Sequence, residues 1–365
     1  MKIDALRFLA AFWVLIFHFH PPVYTDFLPT QLEFVGTALW KLSVAIFDGP
    51  AAVIVFFVIS GYCIHGGYHR EAVLKPINYY ASRFARIGIP LVILFFLVQP
   101  LRTGTNYLNS VLWSLYCEMV YYALYPVLRA RFRFLGELIV GSALLGGIMV
   151  AAVRLFSHPA CDNCVYETYG VAGTALVYSA GWISGCLIAE TQRNAHRFLV
   201  QGAFSRLTML LKSGIDGFAG VFQTRLVLLR IVVVAAGAVI MTVSSTSTSK
   251  PAFIPYITSD ITLPTFQFLA ALWIAVETMT PPTTRIWTWL ASLGAWSYSL
   301  YLCHKTTLSL LEAMHYDPST RSAWFVQMAL ALALSYGFYR FVERPAHLLS
   351  QRLRKHTTDA PPATA

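Results

Sequence analysis

The first apolar segment of the chain carries Arg7 near its start and His18 eleven positions later. Eleven residues at about 100° each return to within about 20° of the starting direction, with a rise of roughly 16 Å. The two side chains therefore lie on one face of a helix. An imidazole exchanges protons near neutral pH, and a guanidinium is a permanent cation. Such groups are costly in apolar surroundings and indicate a functional site, although a surface-anchoring arginine and an interfacial histidine are the simpler alternative.

A second candidate is Glu118, a carboxyl group inside another apolar segment that begins near Trp113. Spacings of three and four residues place Ser114, Glu118, Tyr122 and Tyr125 on one helical stripe. An acid in an apolar layer must be neutral, paired or exposed to water. Glu118 is therefore a candidate acid or base. The alternative is a protonated side chain bonded to a neighbouring helix.

Two short motifs lie between these segments. Ser60-Gly61-Tyr62 combines a glycine, which permits close backbone approach, with two hydroxyl groups. Arg83 and Arg86 are three residues apart, and two guanidinium forks on one helix face suit phosphate groups. A small-residue helix contact and basic anchoring at a membrane surface are the alternatives.

Near the C-terminal end, a segment contains Tyr298 and His304. They could line a pathway or belong to an interfacial aromatic belt. Cys161 and Cys164 form a CxxC in a polar connection, where an oxidising compartment would allow a local disulfide. A metal site needs more ligands than this connection offers, so we predict no metal.

The composition indicates that these segments lie in a membrane. Only 12% of the residues are charged, whereas soluble proteins carry about 25%. The net charge of +10 does not predict a nucleic-acid surface, because the basic residues cluster in short tracts between apolar runs. No cleavable signal peptide is apparent.

Counting apolar stretches of about 17–25 residues predicts an all-α polytopic membrane protein with about ten spans in one bundle. They lie near 5–22, 43–64, 86–101, 110–128, 136–155, 170–189, 226–244, 261–279, 288–311 and 323–342. With both termini in the cytoplasm, basic residues favour the inner side by about three to one. The inner connection 190–225 is long enough for a short interfacial helix. We predict one membrane domain, 1–345, and a disordered cytoplasmic tail, 346–365.

Together, these motifs resemble those of the membrane-bound acyltransferase 3 family, the O-acetyltransferases that modify bacterial surface glycans. The resemblance covers nearly the whole chain and follows the family's order of motifs. The matching elements are Arg7-x10-His18, Ser60-Gly61-Tyr62, Arg83-x-x-Arg86, Trp113-Ser114-Leu115-x-x-Glu118 and Ser297-Tyr298-x-x-Tyr301-x-x-His304. Phe8 departs from the pattern, because a glycine often follows the arginine.

The resemblance implies a multi-pass protein of the bacterial inner membrane. It implies acyl-CoA, usually acetyl-CoA, as a co-substrate from the cytoplasm, no tightly bound cofactor, and a carbohydrate hydroxyl as acceptor. On this view the CoA phosphates meet Arg83, Arg86 and Arg7. His18 is the general base, with Glu118 orienting it or relaying the proton, and an acyl-histidine is the rival mechanism. The other motif residues, Ser60, Gly61, Tyr62, Trp113, Tyr298 and His304, contribute to substrate binding.

A secondary transporter or exporter that relays protons through Glu118 and His18 is the alternative function. Transporters often show inverted repeats and paired broken spans, and the sequence shows no such repeat. A membrane scaffold or sensor is a third option, which leaves the charged residues of the apolar segments unexplained. The lipid bilayer is a partner in every case.

Overall fold

Most residues that the computed structural model describes are helical, and the described residues contain no strand. They are residues 2–19, 30–68, 74–101, 104–131, 134–156, 165–193, 206–245, 259–281, 284–316 and 323–355. The helices of the first half are α1 Lys2–Phe19, α2 Glu33–Ile46, α3 Gly49–Tyr68, α4 Pro76–Arg83, α5 Ile89–Val98, α6 Gly104–Arg129, α7 Leu135–Phe156 and α8 Val165–Arg193. Those that follow are α9 Arg206–Phe222, α10 Leu226–Ser245, α11 Ser259–Met279, α12 Arg285–Leu293, α13 Ser297–Ala313, α14 Ala323–Phe338 and α15 Arg344–Lys355.

Eight helical segments within the described residues are long and apolar enough to cross a membrane. They coincide with predicted spans two to eight and ten, which confirms an all-α polytopic membrane protein. The predicted first span is the helix α1, but it carries three charged residues, Lys2, Asp4 and Arg7, and is not among the eight. Charge in its first two turns thus distinguishes α1 from the other spans.

The predicted ninth span, 288–311, is not one continuous helix. It is divided by a 3-10 turn, Gly294–Trp296, which separates α12 from α13. A Cβ at Gly294 would lie 2.2 Å from the backbone oxygen of Asp4, so this turn lies directly against the start of α1. Apolar content alone predicted one span here, because hydropathy does not register a local change in helix geometry.

By their contacts, the helices group into two units. The first contains α1 to α3, most of α6, and α7 to α12. Its centre is α3, which is buried over most of its surface, as expected for a helix that is apolar all round. α3 packs against α8 and also contacts α1 and α11. α8 bends at Gly170, whose φ of +64° favours glycine.

The second unit contains α4, α5, the beginning of α6, and α13 to α15. α13 and α14 pack against each other, and α15 packs against α4. The hydroxyl group of Ser350 on α15 donates a hydrogen bond of 2.7 Å to the backbone oxygen of Ser82 on α4. Because this hydrogen bond is buried between the two helices, it fixes their register along each other.

Two predictions about connections can be compared with the structure. The connection 190–225 contains α9, a helix as predicted, which packs against α7 and α11. The tail was predicted to start at residue 346, but the chain remains helical through Lys355. This part of the tail prediction is wrong, because α15 is held by α4. Residues 356–365 lie outside the described part, as do Cys161 and Cys164.

Candidate active site

The predicted face of α1 begins at Arg7 and ends at His18. His18 lies in the last turn of α1, where its partly buried ring is 4.9 Å from that of Phe17, measured between centroids. Arg7 is also partly buried and interacts electrostatically with Glu118 of α6. α1 therefore presents a cation toward the carboxylate at one end and an imidazole about three turns further along.

Glu118 is bound by groups from two helices. Its carboxylate accepts hydrogen bonds from the side chains of Ser60 on α3 and Tyr122 on α6. The Ser60 and Tyr122 hydroxyl oxygens are themselves 2.8 Å apart. Three helices thus contribute to one cluster of Arg7, Ser60, Glu118 and Tyr122. The structure brings together four residues from three separate segments of the sequence, and Glu118 and Tyr122 both belong to the predicted stripe of α6.

Gly61 has a packing role in the structure. A Cβ at this position would lie 1.9 Å from the backbone oxygen of Trp182, and one at Gly185 would lie 2.0 Å from the backbone oxygen of Val58. The two glycines let the backbones of α3 and α8 touch, as small residues do between membrane helices. This close approach holds Ser60 in position beside Glu118.

Tyr62 and Trp113, the other predicted site residues of this unit, have defined neighbours. The Tyr62 hydroxyl donates to the side-chain oxygen of Gln192 at 3.4 Å. The Trp113 ring lies 6.4 Å from Phe57 and 6.3 Å from Tyr178, between centroids. Trp113 is therefore part of an aromatic cluster around α3, next to the turn that carries Glu118.

A buried histidine that sequence analysis missed lies one helical turn beyond Ser60. His65 Nε2 is 2.5 Å from a carboxylate oxygen of Glu190, and its Nδ1 is 3.2 Å from the Tyr125 hydroxyl. The three residues come from α3, α8 and α6. The only signal in the sequence was the position of Tyr125 on the stripe of Glu118, three residues after Tyr122, because His65 and Glu190 are 125 positions apart.

In the second unit, Tyr298 and His304 are both on α13. The Tyr298 hydroxyl donates to the backbone oxygen of Ile87 at 3.1 Å. His304 is fully buried, and its Nδ1 is 2.7 Å from the backbone oxygen of Tyr301. Because a carbonyl only accepts, Nδ1 carries the hydrogen, and Nε2 of the neutral ring is the basic nitrogen.

The paired arginines lie at a change in helix geometry. Arg83 is in the last turn of α4, and Arg86 lies within a π-helical turn, Phe84–Gly88. The wider turn alters the three-residue register that would place both side chains on one α-helical face. Arg83 remains partly exposed, whereas Arg86 is engaged in an ion pair.

The partner of Arg86 is Glu343, which is fully buried at the end of a second π-helical turn, Tyr339–Glu343. Arg86 Nη1 is 3.2 Å from Glu343 Oε1, and the other oxygen accepts bonds from the Ser299 backbone N–H at 3.0 Å and hydroxyl at 2.6 Å. This long-range pair, with the hydrogen bonds from Ser299, joins α13 to both π-helical turns.

Removing one charge of this pair will cost more stability than removing both. We expect Glu343→Gln to lower the free energy of unfolding by about 3 kcal/mol, because it leaves Arg86 without its carboxylate. The double variant Arg86→Gln, Glu343→Gln should recover part of that loss. Thermal unfolding of the purified Glu343→Gln, Arg86→Gln and double variants measures the loss of stability in each. If the loss in the double variant equalled the sum of the losses in the two single variants, the charges would not interact.

No group of three His, Cys, Asp or Glu side chains within the described ranges could hold a metal ion. A carboxylate with a nearby guanidinium and two hydroxyls, on helices that also carry an imidazole, is suited to general acid–base chemistry.

The fold defines a polytopic α-helical membrane protein, and three of its helices contribute ionisable and hydroxyl side chains to one cluster. A family model described as an acyltransferase domain matches residues 2–340. The chain belongs to this family, acyltransferase 3, and is a membrane acyltransferase. No curated protein and no solved structure matches it.

Proposed function

We propose that this acyltransferase moves an acyl group, most simply acetyl, from acyl-CoA to a hydroxyl of a surface or lipid-linked carbohydrate. The proposal rests on the match to the acyltransferase 3 family and on a constellation in which Arg7 interacts electrostatically with Glu118 while His18 lies further along the same helix as Arg7. An ester-forming transfer needs a base for the acceptor hydroxyl and charge stabilisation at the thioester carbonyl. The constellation offers an imidazole, a carboxylate and a guanidinium.

His18 is the proposed general base. Its imidazole takes the proton of the acceptor hydroxyl as the hydroxyl oxygen attacks the thioester carbon. The new C–O bond forms and the C–S bond breaks, and the CoA sulfur leaves and receives a proton, which returns the imidazole to its neutral form. In the rival route, the imidazole itself attacks the thioester and carries the acyl group before the sugar accepts it.

Glu118 is the second proposed catalytic group. Ser60 and Tyr122 fix its position through hydrogen bonds, and Arg7 is its electrostatic partner. In its ionised form, this carboxyl group of α6 is proposed to stabilise the imidazolium that forms at His18 or to relay its proton. A preorganised charge of this kind needs no rearrangement during the reaction.

The remaining predicted site residues are proposed as substrate contacts. Arg83 and Arg86 are expected to bind the CoA phosphates, with Arg86 sharing its guanidinium with Glu343. This role requires both arginines to face the cytoplasm, in the inner membrane of a bacterial cell with both chain ends inside. The other proposed contacts are Ser60, Gly61, Tyr62, Trp113, Tyr298 and His304.

Transfer can be tested in proteoliposomes that contain the purified protein. We expect acetyl-CoA labelled in the acetyl group to lose its label to a lipid-linked oligosaccharide acceptor, and mass spectrometry should identify an added acetyl ester. An assay that instead shows pH-driven uptake of a solute and no consumption of acetyl-CoA would support the transporter. Intact labelled donor after incubation with a range of acceptors would contradict the proposed reaction.

A further inference from the structure

A cavity of about 390 Å³ lies in the first unit and is lined by residues of six helices, α1 to α3 and α10 to α12. Its size falls within the range of about 300–1,000 Å³ that is common for ligand sites. The walls are mostly apolar and rich in aromatic rings; examples are Trp13, Val55, Phe266 and Trp273. A lining of this kind suits a hydrocarbon chain.

The cavity has a cation at one end and is apolar along α10. On this helix its lining runs from Arg230 to Gly237, a rise of about 10 Å. Arg230 pairs with Glu277 near the end of α11. At the other end, a Cβ at Gly237 would lie 3.6 Å from the Ala51 side chain near the start of α3. The α10 lining between these ends is apolar, so the cavity suits an amphiphile with its head at Arg230 and its chain toward Gly237.

The charged end holds two cations and one carboxylate. Arg230 Nε lies 2.6 Å from Glu277 Oε1, and its Nη2 lies 3.1 Å from Oε2. Lys2 Nζ lies 3.5 Å from the same Oε2. The charged groups that act on Lys2 are Glu277, which attracts it, and Arg230, which repels it. The single negative charge of Glu277 therefore serves two positive charges, which leaves one positive charge in excess.

Arg230 is the member of this cluster that a ligand can reach. Its side chain is 30% exposed and lines the cavity, whereas those of Lys2 and Glu277 are 7% and 0% exposed. Its guanidinium carbon lies 4.7 Å from the centroid of the Trp287 ring, which also lines the cavity. Arg230 Nη1 takes no part in the bonds to Glu277. This nitrogen can therefore donate to an anion, which the excess positive charge favours because a buried charge needs a partner.

The other ionisable residue of the lining is Asp48, at the opposite end. It caps α3, because its Oδ1 accepts a hydrogen bond of 3.2 Å from the Ala51 backbone N–H. Asp48 is only 2% exposed. A buried carboxyl group offers an anion no attraction, so an anionic head is favoured at the end where Arg230 lies.

This cavity is separate from the proposed catalytic residues. On α1 its lining residues lie between Leu6 and Trp13, and their mean direction is about 120° away from the face of Arg7 and His18. On α3 the lining residues are near the start of the helix and do not include Ser60. The cavity and the proposed acyl-transfer site therefore use different faces of α1 and different parts of α3.

We propose that the cavity binds a long-chain carboxylate, with the hydrocarbon chain along the apolar walls and the carboxylate against Arg230 Nη1. The carboxylate supplies the second negative charge that Arg230 and Lys2 require, and a planar guanidinium binds carboxylates through its N–H groups. A long-chain alcohol would leave the excess charge uncompensated, and an amine would add to it. A diacyl phospholipid has a suitable charge, but its second chain would need a further apolar groove. This binding is independent of the proposed acyl transfer.

Photolabelling of the full chain in detergent micelles tests the proposal, in a buffer alkaline enough to ionise the carboxylate. The probes are a diazirine-bearing hexadecanoate and the matching hexadecanol, and mass spectrometry locates the labelled peptides. We expect labelling of the cavity segments of α1, α10 and α11, with the carboxylate effective at about tenfold lower concentration than the alcohol. Equal labelling by the two probes would overturn the proposal. So would stronger labelling by a diazirine-bearing phosphatidylglycerol than by the hexadecanoate, because the site would then belong to phospholipids.

Arg230→Gln tests the role of the charge. This variant leaves Lys2 and Glu277 as a balanced pair, and the carboxylate probe should fall to the level of the alcohol. Arg225→Gln is the matched control, because Arg225 is exposed just before α10 and does not line the cavity; the tenfold advantage should remain. An advantage that survives Arg230→Gln, or that is lost equally in both variants, would contradict the proposed contact.

A pair of tryptophan substitutions on α10 tests the cavity without changing Arg230. Val234, which is partly buried and lines the cavity, becomes a plug in Val234→Trp, which should abolish labelling by both probes. Val232→Trp, at an exposed position of the same helix outside the lining, should leave labelling unchanged. Labelling that survives Val234→Trp would overturn the proposal. If Arg230→Gln fails to fold, this pair and the comparison of probes in the wild-type protein still decide.

Discussion

Replacing His18 by alanine will lower the rate of acyl transfer by about 10²–10⁴-fold, the usual contribution of a positioned general base. The ring lies in the last turn of α1 and is only partly buried, so its loss should leave the packing of α1 largely intact. The measurement is the initial rate of acetyl transfer in proteoliposomes, with unfolding temperature compared in parallel. A variant that unfolds like the wild type but does not transfer would assign the loss to chemistry.

His347→Ala is the matched control for this experiment. His347 is on α15, beyond the matched region 2–340, and its Nε2 is 3.0 Å from the side-chain nitrogen of Gln351, one turn further along the same helix. Its substitution should leave the transfer rate within about twofold of the wild type. Full activity of His18→Ala would contradict both the base and the acyl-histidine mechanism. Labelled donor without acceptor separates these two, because only the covalent route leaves a labelled enzyme.

The features predicted well from the sequence are those that depend on local periodicity. Apolar length located eight membrane helices, and the three- and four-residue spacing of α6 correctly placed Glu118 and Tyr122 on the side that meets Ser60. In each case the signal lies within about twenty residues, so one segment contains all the information needed.

The features that sequence reasoning missed depend on contacts between distant segments. Sequence analysis did not pair His65 with Glu190 or Arg86 with Glu343. The two members of each pair are far apart along the chain, and only the fold brings them into contact. The π-helical turn around Arg86 has no hydropathy signature, since it changes hydrogen bonding and not apolar content. A cavity beside Asp48 is lined by residues of six helices from different parts of the chain. No spacing rule could have predicted it.

The substitution with the largest expected effect on folding is Gly61→Ala. The new Cβ would lie 1.9 Å from the Trp182 backbone oxygen and 2.9 Å from its carbonyl carbon, so no side-chain rotation can relieve the overlap. α3 and α8 must separate, and their separation disrupts the most extensive helix contact of the first unit. Overpacking of a core commonly costs about 1–3 kcal/mol. A clash against rigid backbone should exceed that range and leave little folded protein.

Gly147→Ala is the control, because a Cβ there meets no atom within 4 Å. It should change the free energy of unfolding by no more than about 1 kcal/mol, the difference in helix propensity between the two residues. Size-exclusion chromatography with heating of the detergent-solubilised protein measures both variants. A Gly61→Ala protein that unfolds at the wild-type temperature would contradict this prediction. It would mean that α3 and α8 are further apart near Trp182 than the structure shows. In that case the close contact between α3 and α8 would not explain why the Ser60 hydroxyl lies beside Glu118.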